Sequence, residues 1–319
     1  MKHIYVINPA AGDGSHYHPL VEAIKREYEG GEIPYGIYTT KGPGDAFQFL
    51  SGMKPEGQYR IFACGGDGTL NEVVGGIKSL QGVELGLIPC GSGNDFVKNF
   101  SHPEYFLDVS RQRQAVPAPI DYIETNIGAC LNICSLGLDA KVGRNFMKFK
   151  GLPGVSGPMA YNLALPFSVL SKLGWHTRMR LDGEELEGKN IITVVAGGIC
   201  YGGGYYGAPK ARVNDGLIDV IAIENISRLR LPHFIGRFKS GTFLDDEEFS
   251  SILTYRRVKN VELVMDKPVP ICIDGECSTV SVLTADIVPG GLPFCLPEGC
   301  EIVGYQLLKS AAETTGSEI

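Results

Sequence analysis

The chain has 319 residues, 44% of them hydrophobic, with 29 Lys+Arg against 36 Asp+Glu and a formal net charge of -7 at pH 7. That length exceeds a usual single domain and favours two, each able to bury its own core, while the acidic balance argues against a nucleic-acid binder held by overall charge. The opening run Met1 to Pro9 reads as a strand and turn and lacks the long apolar stretch of a signal peptide, so a cytoplasmic protein is expected.

Strand and helix patterns alternate through the first part of the chain. Strands are predicted at Ile4 to Ile7, Tyr35 to Tyr38, Arg60 to Ala63 and Leu85 to Ile88, and helices at Tyr17 to Tyr28, Gly44 to Leu50 and Leu70 to Ile77. This rhythm predicts a doubly wound α/β domain of mostly parallel strands over residues 1–124, which binds ligands beyond the C-terminal ends of its strands. Glycine-rich loops stand at those ends: Asn8 to Gly14, Gly65 to Thr69, and Pro89 to Asp95. Successive glycines let backbone amides approach an anion, and the helix that follows aims its free amides and positive dipole end at the same spot. Asp67 is the odd residue in such a cradle. A carboxylate beside phosphates repels them unless a cation intervenes, so Asp67 implies bridging Mg²⁺ or a substrate hydroxyl.

After about Asp121 the texture changes to runs rich in β-branched residues: Leu131 to Cys134, Ile191 to Val195, Ile218 to Ile223, Val261 to Val264 and Val280 to Ala285. Turn signals Asp182-Gly183 and Asn214-Asp215-Gly216 fall between them, predicting a second, antiparallel β-rich, sandwich-like domain over 125–292 with few helices. Residues 293–310 can return to complete the first domain, and the small, polar 311–319 reads as a flexible tail. The nine cysteines are scattered without a Cys-x-x-Cys pair, which fits reduced and mostly buried thiols, and the six histidines form no zinc-ligand pattern with them. Residues 151 to 171 carry no charge, but Gly and Pro interrupt them too often for a spanning helix. A buried helix pair and an apolar surface for a lipid tail remain alternative readings.

Taken together, Asn8-Pro9, the Gly65 to Thr69 loop followed by Asn71-Glu72-Val73-Val74, and Gly91-Ser92-Gly93-Asn94-Asp95-Phe96 resemble the diacylglycerol kinase catalytic family. NAD kinases share the Gly-Gly-Asp-Gly-Thr loop, here Gly65 to Thr69, but the Gly-Ser-Gly-Asn-Asp-Phe run is the lipid-kinase form. Tyr201 to Pro209, Asp215 to Asp219 and Asp274-Gly275-Glu276 follow in the order and spacing of bacterial soluble diacylglycerol kinases, so the resemblance runs from Ile4 to about Pro297. Ser92 stands where the family more often has threonine and keeps the hydroxyl.

The resemblance implies an ATP-dependent lipid kinase that makes phosphatidic acid from diacylglycerol. Other lipid alcohols such as sphingoid bases or phosphatidylglycerol stand as rivals, and an NAD kinase or a silent nucleotide-binding regulator as remoter ones. It implies that Asn8, Thr40, the backbone from Gly66 through Asp67 and Gly68 to Thr69, and Ser92 hold ATP. Thr40 reads equally well as part of a turn and helix cap. Asp67 and Asp95 would face each other across the cleft and need hydrated Mg²⁺ or shared protons, although Asn94 and Asp95 can also form an Asx-turn. By the same resemblance Asp215 holds a structural Mg²⁺ with the carbonyls of Arg212 and Leu217, and Glu276 is the general base. The plain alternative for Glu276 is a solvated hairpin acid.

The expected partners are a membrane lipid as substrate and an anionic membrane surface, met peripherally and reversibly at the inner face, with no nucleic acid and with a homodimer left open. Lys141, Arg144, Lys148 and Lys150, and Arg228, Arg230, Arg237 and Lys239, form basic clusters suited to such a surface or to ordinary solvated faces.

Overall fold

The computed structural model describes residues 1–152, 154, 157–171, 173–224 and 226–304; the tail 311–319 and the end of the expected return segment lie outside them. The chain divides into two compact units, the first built from Met1–Tyr122, Arg212–Asp215 and the chain from Val288 onward, the second from Ile123–Ala211 and Gly216–Ile287.

The first unit runs β1 (Lys2–Ile7), α1 (Tyr17–Tyr28), β2 (Tyr35–Thr39), α2 (Asp45–Ser51), β3 (Tyr59–Gly65), α3 (Asp67–Ile77), β4 (Val83–Pro89), α4 (Val109–Gln114) and the start of β5 (Val116–Thr125). Its strands are parallel in the order β2-β1-β3-β4. Nearly every residue of β1, β3 and β4 is buried, as a sheet covered on both faces requires, which is why they read as unbroken apolar runs. Helix α1 buries only Leu20, Ile24 and Tyr28, one stripe at a spacing of four.

Helix α3 begins three residues before the predicted Leu70. Gly66 is its N-cap and accepts the Leu70 amide at 3.0 Å, so Asp67, Gly68 and Thr69 form the first helical turn. The glycine loop is therefore already the helix N-terminus, which concentrates the dipole on it.

The second unit runs β6 (Gly128–Cys130), β7 (Ile133–Gly137), α5 (Leu138–Lys150), α6 (Gly157–Leu170), β8 (Trp175–Leu181), β9 (Glu184–Ala196), β10 (Ile218–Glu224), α7 (Leu231–Lys239), β11 (Leu253–Val258), β12 (Asn260–Ile273) and most of β13 (Glu276–Leu296). All its registered pairings are antiparallel. The long strands change partners along their length. Strand β9 pairs β8 through Glu184–Asn190 and β7 through Ile192–Ala196, while β12 pairs β8 near Leu263 and β7 near Cys272. Strand β8 alternates Trp175, Thr177, Met179 and Leu181 inward with His176, Arg178 and Arg180 outward, the period of two that a one-sided core demands. Asp182 and Gly183, both at positive φ, close the β8–β9 hairpin with the backbone twist that such turns need.

The end of β13 returns to the first unit, where Phe294 pairs Leu85 of β4 in parallel. Phe294 is fully buried, stacked on Phe100 at 5.1 Å and edge-on to Phe96 at 5.5 Å. Burying one such ring is worth about 1.5–3 kcal/mol, with roughly 0.5–1.5 kcal/mol more for each well-placed aromatic partner. Asp121 ties the same region together: its amide donates to the Val213 carbonyl at 2.7 Å, and its Oδ1 accepts the Gly290 amide at 2.7 Å. The segment Arg212–Asp215, expected in the second domain, accordingly belongs to the first unit.

Two further expectations are corrected. Cys272 and Cys277 are joined by a disulfide rather than both reduced, because they are cross-strand partners flanking the two-residue turn of β12–β13, with Cα atoms 4.1 Å apart. The remaining cysteines are free, and all but Cys300 are buried. Among the described residues of 151 to 171 there is no buried helix pair: Gly157–Leu170 form one helix, α6, with Met159, Leu163, Phe167 and Leu170 exposed. Helix α6 packs on α5 through Ala160, Ala164 and Ser168, with Asn145 donating to Ser168 Oγ at 2.8 Å, while its outer face stays open.

Candidate functional site

The loops after β1, β3 and β4 meet within the first unit. Asn8 Nδ2 donates to Thr69 Oγ1 at 3.1 Å, joining the first loop to the first turn of α3. A Cβ on Gly12 would lie 2.9 Å from the Cys90 carbonyl oxygen, and one on Gly91 would lie 2.3 Å from Gly66 Cα. Backbone thus touches backbone where side chains would otherwise stand. The sequence reads these glycines as flexible; the structure adds that Gly66 and Gly91 are obligatory for close approach.

Asn94, at φ 48, stitches the last loop by accepting the Gly91 amide at 2.9 Å and donating to the Gly91 carbonyl at 2.9 Å. Asn94 thus bonds its own loop backbone, reaching back to Gly91 rather than forward as an Asx-turn does. Asp95 is buried and pairs with Lys98 Nζ at 2.6 Å. Asp67 Oδ1 accepts the Phe96 amide at 3.2 Å, and a Cβ on Gly93 would lie 3.1 Å from Asp67 Oδ2 and 3.5 Å from Asp95 Oδ2. The two carboxylates therefore flank one glycine, as their loops at adjacent strand ends require. Lys98, which the sequence did not single out, compensates part of their charge.

Thr40 is buried at the end of β2, its amide donating to Ile7 O at 2.9 Å, whereas Ser92 is exposed on its loop. Glu72 was legible only as part of a motif. Its carboxylate accepts the Gly44 amide at 2.8 Å and the Ala46 amide at 3.1 Å, capping α2 and fixing the loop after Thr40.

Arg212 and Asp215 lie in the first unit and Leu217 in the second; Gly216, at φ 71, makes the turn between them. Asp67, Asp95 and Asp215 form no tight three-ligand cluster. Among the described residues the trio of acid or imidazole atoms lying within 4.8 Å of one another is His233, Asp246 and Glu248. That trio is exposed or half-buried, and arginines already hold its acids: Arg230 meets Glu248 at 2.9 Å and Arg237 meets Asp246 at 3.4 Å. Its chemistry is that of a surface ion-pair network. Asp67 and Asp95, which flank Gly93, offer carboxylate oxygens, a donor set that fits a hydrated hard cation such as Mg²⁺.

In the second unit Glu276 opens β13 opposite Ile273 and is exposed. Its position is set by Asp274, whose role the sequence did not reveal. Asp274 is buried at φ 45, with Oδ2 accepting the Leu131 amide at 2.7 Å and Oδ1 the amides of Asn132 at 3.0 Å and Ile133 at 2.9 Å. This carboxylate clamps the hairpin tip to the β6–β7 connection. Asp274→Ala strands these donors in a buried site and is expected to lower unfolding free energy by about 3–5 kcal/mol, with Asp274→Asn intermediate. Urea titration checks it, and a loss below about 1 kcal/mol would remove the clamp.

Comparison with known proteins bears on both units. Residues 2–124 match the model of the diacylglycerol kinase catalytic domain, and residues 132–295 match the YegS C-terminal NAD kinase beta sandwich-like domain. The chain belongs to the YegS C-terminal domain family, whose match spans half of it, and carries a diacylglycerol kinase catalytic domain over residues 2–124. As a member it is an enzyme of the lipid-kinase class.

Curated relatives named "Probable lipid kinase YegS-like" occur in Chromohalobacter salexigens, 27% identical over 89% of this chain and 91% of that protein, and in Xanthomonas euvesicatoria, 28% identical over 85% and 90%. A crystal structure from Bacillus anthracis described as a diacylglycerol kinase shares the fold at TM-score 0.68, with 18% identity over 95% of this chain and 98% of that one. A second structure from the same organism has TM-score 0.72, with 21% identity over 95% and 96%. The family's second domain carries a sandwich like that of NAD kinases, so its shape alone does not separate lipid from NAD as acceptor.

One further acid of the second unit is half-buried. Asp139, at the start of α5, accepts the Tyr201 hydroxyl and the Ala140 amide. Desolvation by burial nevertheless raises its pKa from 3.8 to about 6, outweighing those hydrogen bonds. The folded state therefore keeps a proton that the unfolded chain releases. The resulting stabilisation is complete below the unfolded pKa and is lost as pH rises through about 6. Asp139→Asn removes this dependence, so between about pH 4 and about pH 8 the wild type should lose on the order of 3 kcal/mol relative to the variant. Denaturant unfolding at both pH values tests this, and a constant difference would contradict it.

Proposed function

We propose that this protein transfers the γ-phosphoryl group of ATP to the hydroxyl of a membrane lipid, with diacylglycerol as acceptor and phosphatidic acid as product. The observation that carries the reading is the convergence of the Asn8, Gly66 and Gly91 loops, with Asp67 and Asp95 flanking Gly93. Such a cradle binds phosphates through backbone amides at a helix N-terminus and keeps two acids at its rim.

In this reading Asn8, Thr40, the Gly66 to Thr69 turn and Ser92 hold and orient the nucleotide. Asp67 and Asp95 would hold hydrated Mg²⁺, which would supply positive charge to offset that of the phosphates. Asp215 with the carbonyls of Arg212 and Leu217 would hold a structural Mg²⁺. Glu276 accepts the proton of the lipid hydroxyl as its oxygen bonds to phosphorus and the bond from phosphorus to ADP breaks. The acceptor is dissolved in a bilayer, so the enzyme meets the inner membrane face peripherally and reversibly. Nothing in this chemistry requires a second copy.

The test incubates purified protein with γ-labelled ATP and, separately, micelles of diacylglycerol, a sphingoid base or phosphatidylglycerol, or soluble NAD. Labelled phosphatidic acid supports the proposal. Label confined to another lipid changes the acceptor, label in NADP alone changes the class, and no transfer overturns the reading.

A further inference from the structure

Helix α6 is inside out by the standard of a surface helix. The face it packs on α5 is small, with Ala160, Ala164 and Ser168 fully buried, whereas large apolar side chains point away from the protein. Met159, Leu163, Phe167 and Leu170 recur at spacings of four, four and three, with Phe167 59% and Leu170 72% exposed. An ordinary amphipathic helix does the reverse, because burying large apolar groups is what drives its packing. The residues of α6 include no charge. Arg228 donates to the Ser171 carbonyl at 3.2 Å, which brings the loop carrying Leu229, 94% exposed, to the C-terminal end of the same helix.

Charge is segregated beside this stripe. On α5, Lys141, Arg144 and Lys148 share one side of the helix, bordering the side where Asn145 and Phe149 meet α6, and the helix carries only Asp139 as an acid. A basic stripe on a chain of net charge -7 is a local feature, and its neighbour is a wholly uncharged apolar ridge.

We propose that the outer face of α6, with Leu229 and the basic side of α5, is the surface by which this protein enters an anionic lipid bilayer. The large apolar side chains sink among the acyl chains while the lysines and arginines meet anionic headgroups. The basic stripe selects this occupant over a second copy of the chain, since a symmetric dimer through this face would bring two basic stripes together. Attachment is therefore not purely electrostatic: salt weakens it, and the apolar ridge sets its depth.

The proposal rests on the lipid-kinase reading for its purpose, but its test needs no turnover. Full-length protein is floated without ATP on vesicles of phosphatidylcholine alone or mixed with phosphatidylglycerol. Leu163→Ser with Leu170→Ser should weaken binding to the mixed vesicles by about a hundredfold, about tenfold per side chain. Arg144→Glu with Lys148→Glu should weaken binding to mixed vesicles at least about tenfold while leaving the feeble binding to neutral vesicles unchanged. A tryptophan placed by Leu170→Trp should shift its emission to the blue on mixed vesicles and be quenched by bromolipids, while buried Trp175 should not respond. Phosphorylation of a short-chain diglyceride in detergent micelles should survive both double substitutions. That assay fails if the lipid-kinase reading is wrong, whereas flotation reports the surface alone. Unchanged flotation of the Leu163 and Leu170 variant, or an unquenched tryptophan at 170, would overturn the proposal. So would a concentration-dependent dimer, seen by sedimentation, that the same substitutions abolish.

Discussion

Asp67→Ala should leave a folded protein whose turnover falls by at least about 10³-fold, the scale on which lost electrostatic positioning acts in phosphoryl transfer. The shape of the site does not depend on this side chain. Asn8 still reaches Thr69, Gly91 still packs on Gly66, and Asn94 still closes its own loop. The loss includes one acceptor for the Phe96 amide, worth about 1 kcal/mol, and one of the two carboxylates beside Gly93. Unfolding curves and kinetics measured together separate these effects. Activity near wild type would remove Asp67 from the chemistry, and a collapse of stability would make its role structural.

Glu276→Gln should act differently. Glutamine keeps the size and hydrogen-bonding reach of the side chain but cannot take up a proton. Turnover is expected to drop by roughly 10²- to 10⁴-fold with ATP affinity near wild type, because the nucleotide loops belong to the first unit and Glu276 to the second. The stability of the variant should also match wild type, since the hairpin is held by Asp274 rather than by the exposed Glu276. Loss of ATP binding would move Glu276 to the nucleotide site, and unchanged turnover would return it to a solvated hairpin acid.

Much of the first unit was legible because its signals are local. An apolar run ending in glycine, followed by a helical pattern, specifies a strand, a tight turn and a helix within about twenty residues. Strands at Ile4, Tyr35, Arg60 and Leu85 and the helices between them accordingly fall where the pattern puts them, and α3 differs only in starting at Asp67. In the second unit β7, β9, β10, β12 and β13 were legible by their β-branched runs, while β6, β8 and β11, which lack such runs, were not, and neither were the strands' partners. Nothing near Glu184 states that β9 joins β8 with one half and β7 with the other.

The sequence by itself thus determined the α/β and β-rich halves and the glycine loops, because each is written in neighbouring residues, whereas the roles of Asp215 and Glu276 rest on the resemblance. Tertiary structure alone decided that Asn94 stitches its loop to Gly91, that Lys98 pairs Asp95, that Asp274 clamps the hairpin of Glu276, and that Arg212–Asp215 joins the first unit. It also decided which side of α6 turns outward: residues 151 to 171 are uncharged throughout, so with no polar face to mark the outside, only the packing of Ala160, Ala164 and Ser168 on α5 sets the orientation. These outcomes depend on partners distant in the chain or on competition among similar side chains, and local propensity carries no information about either.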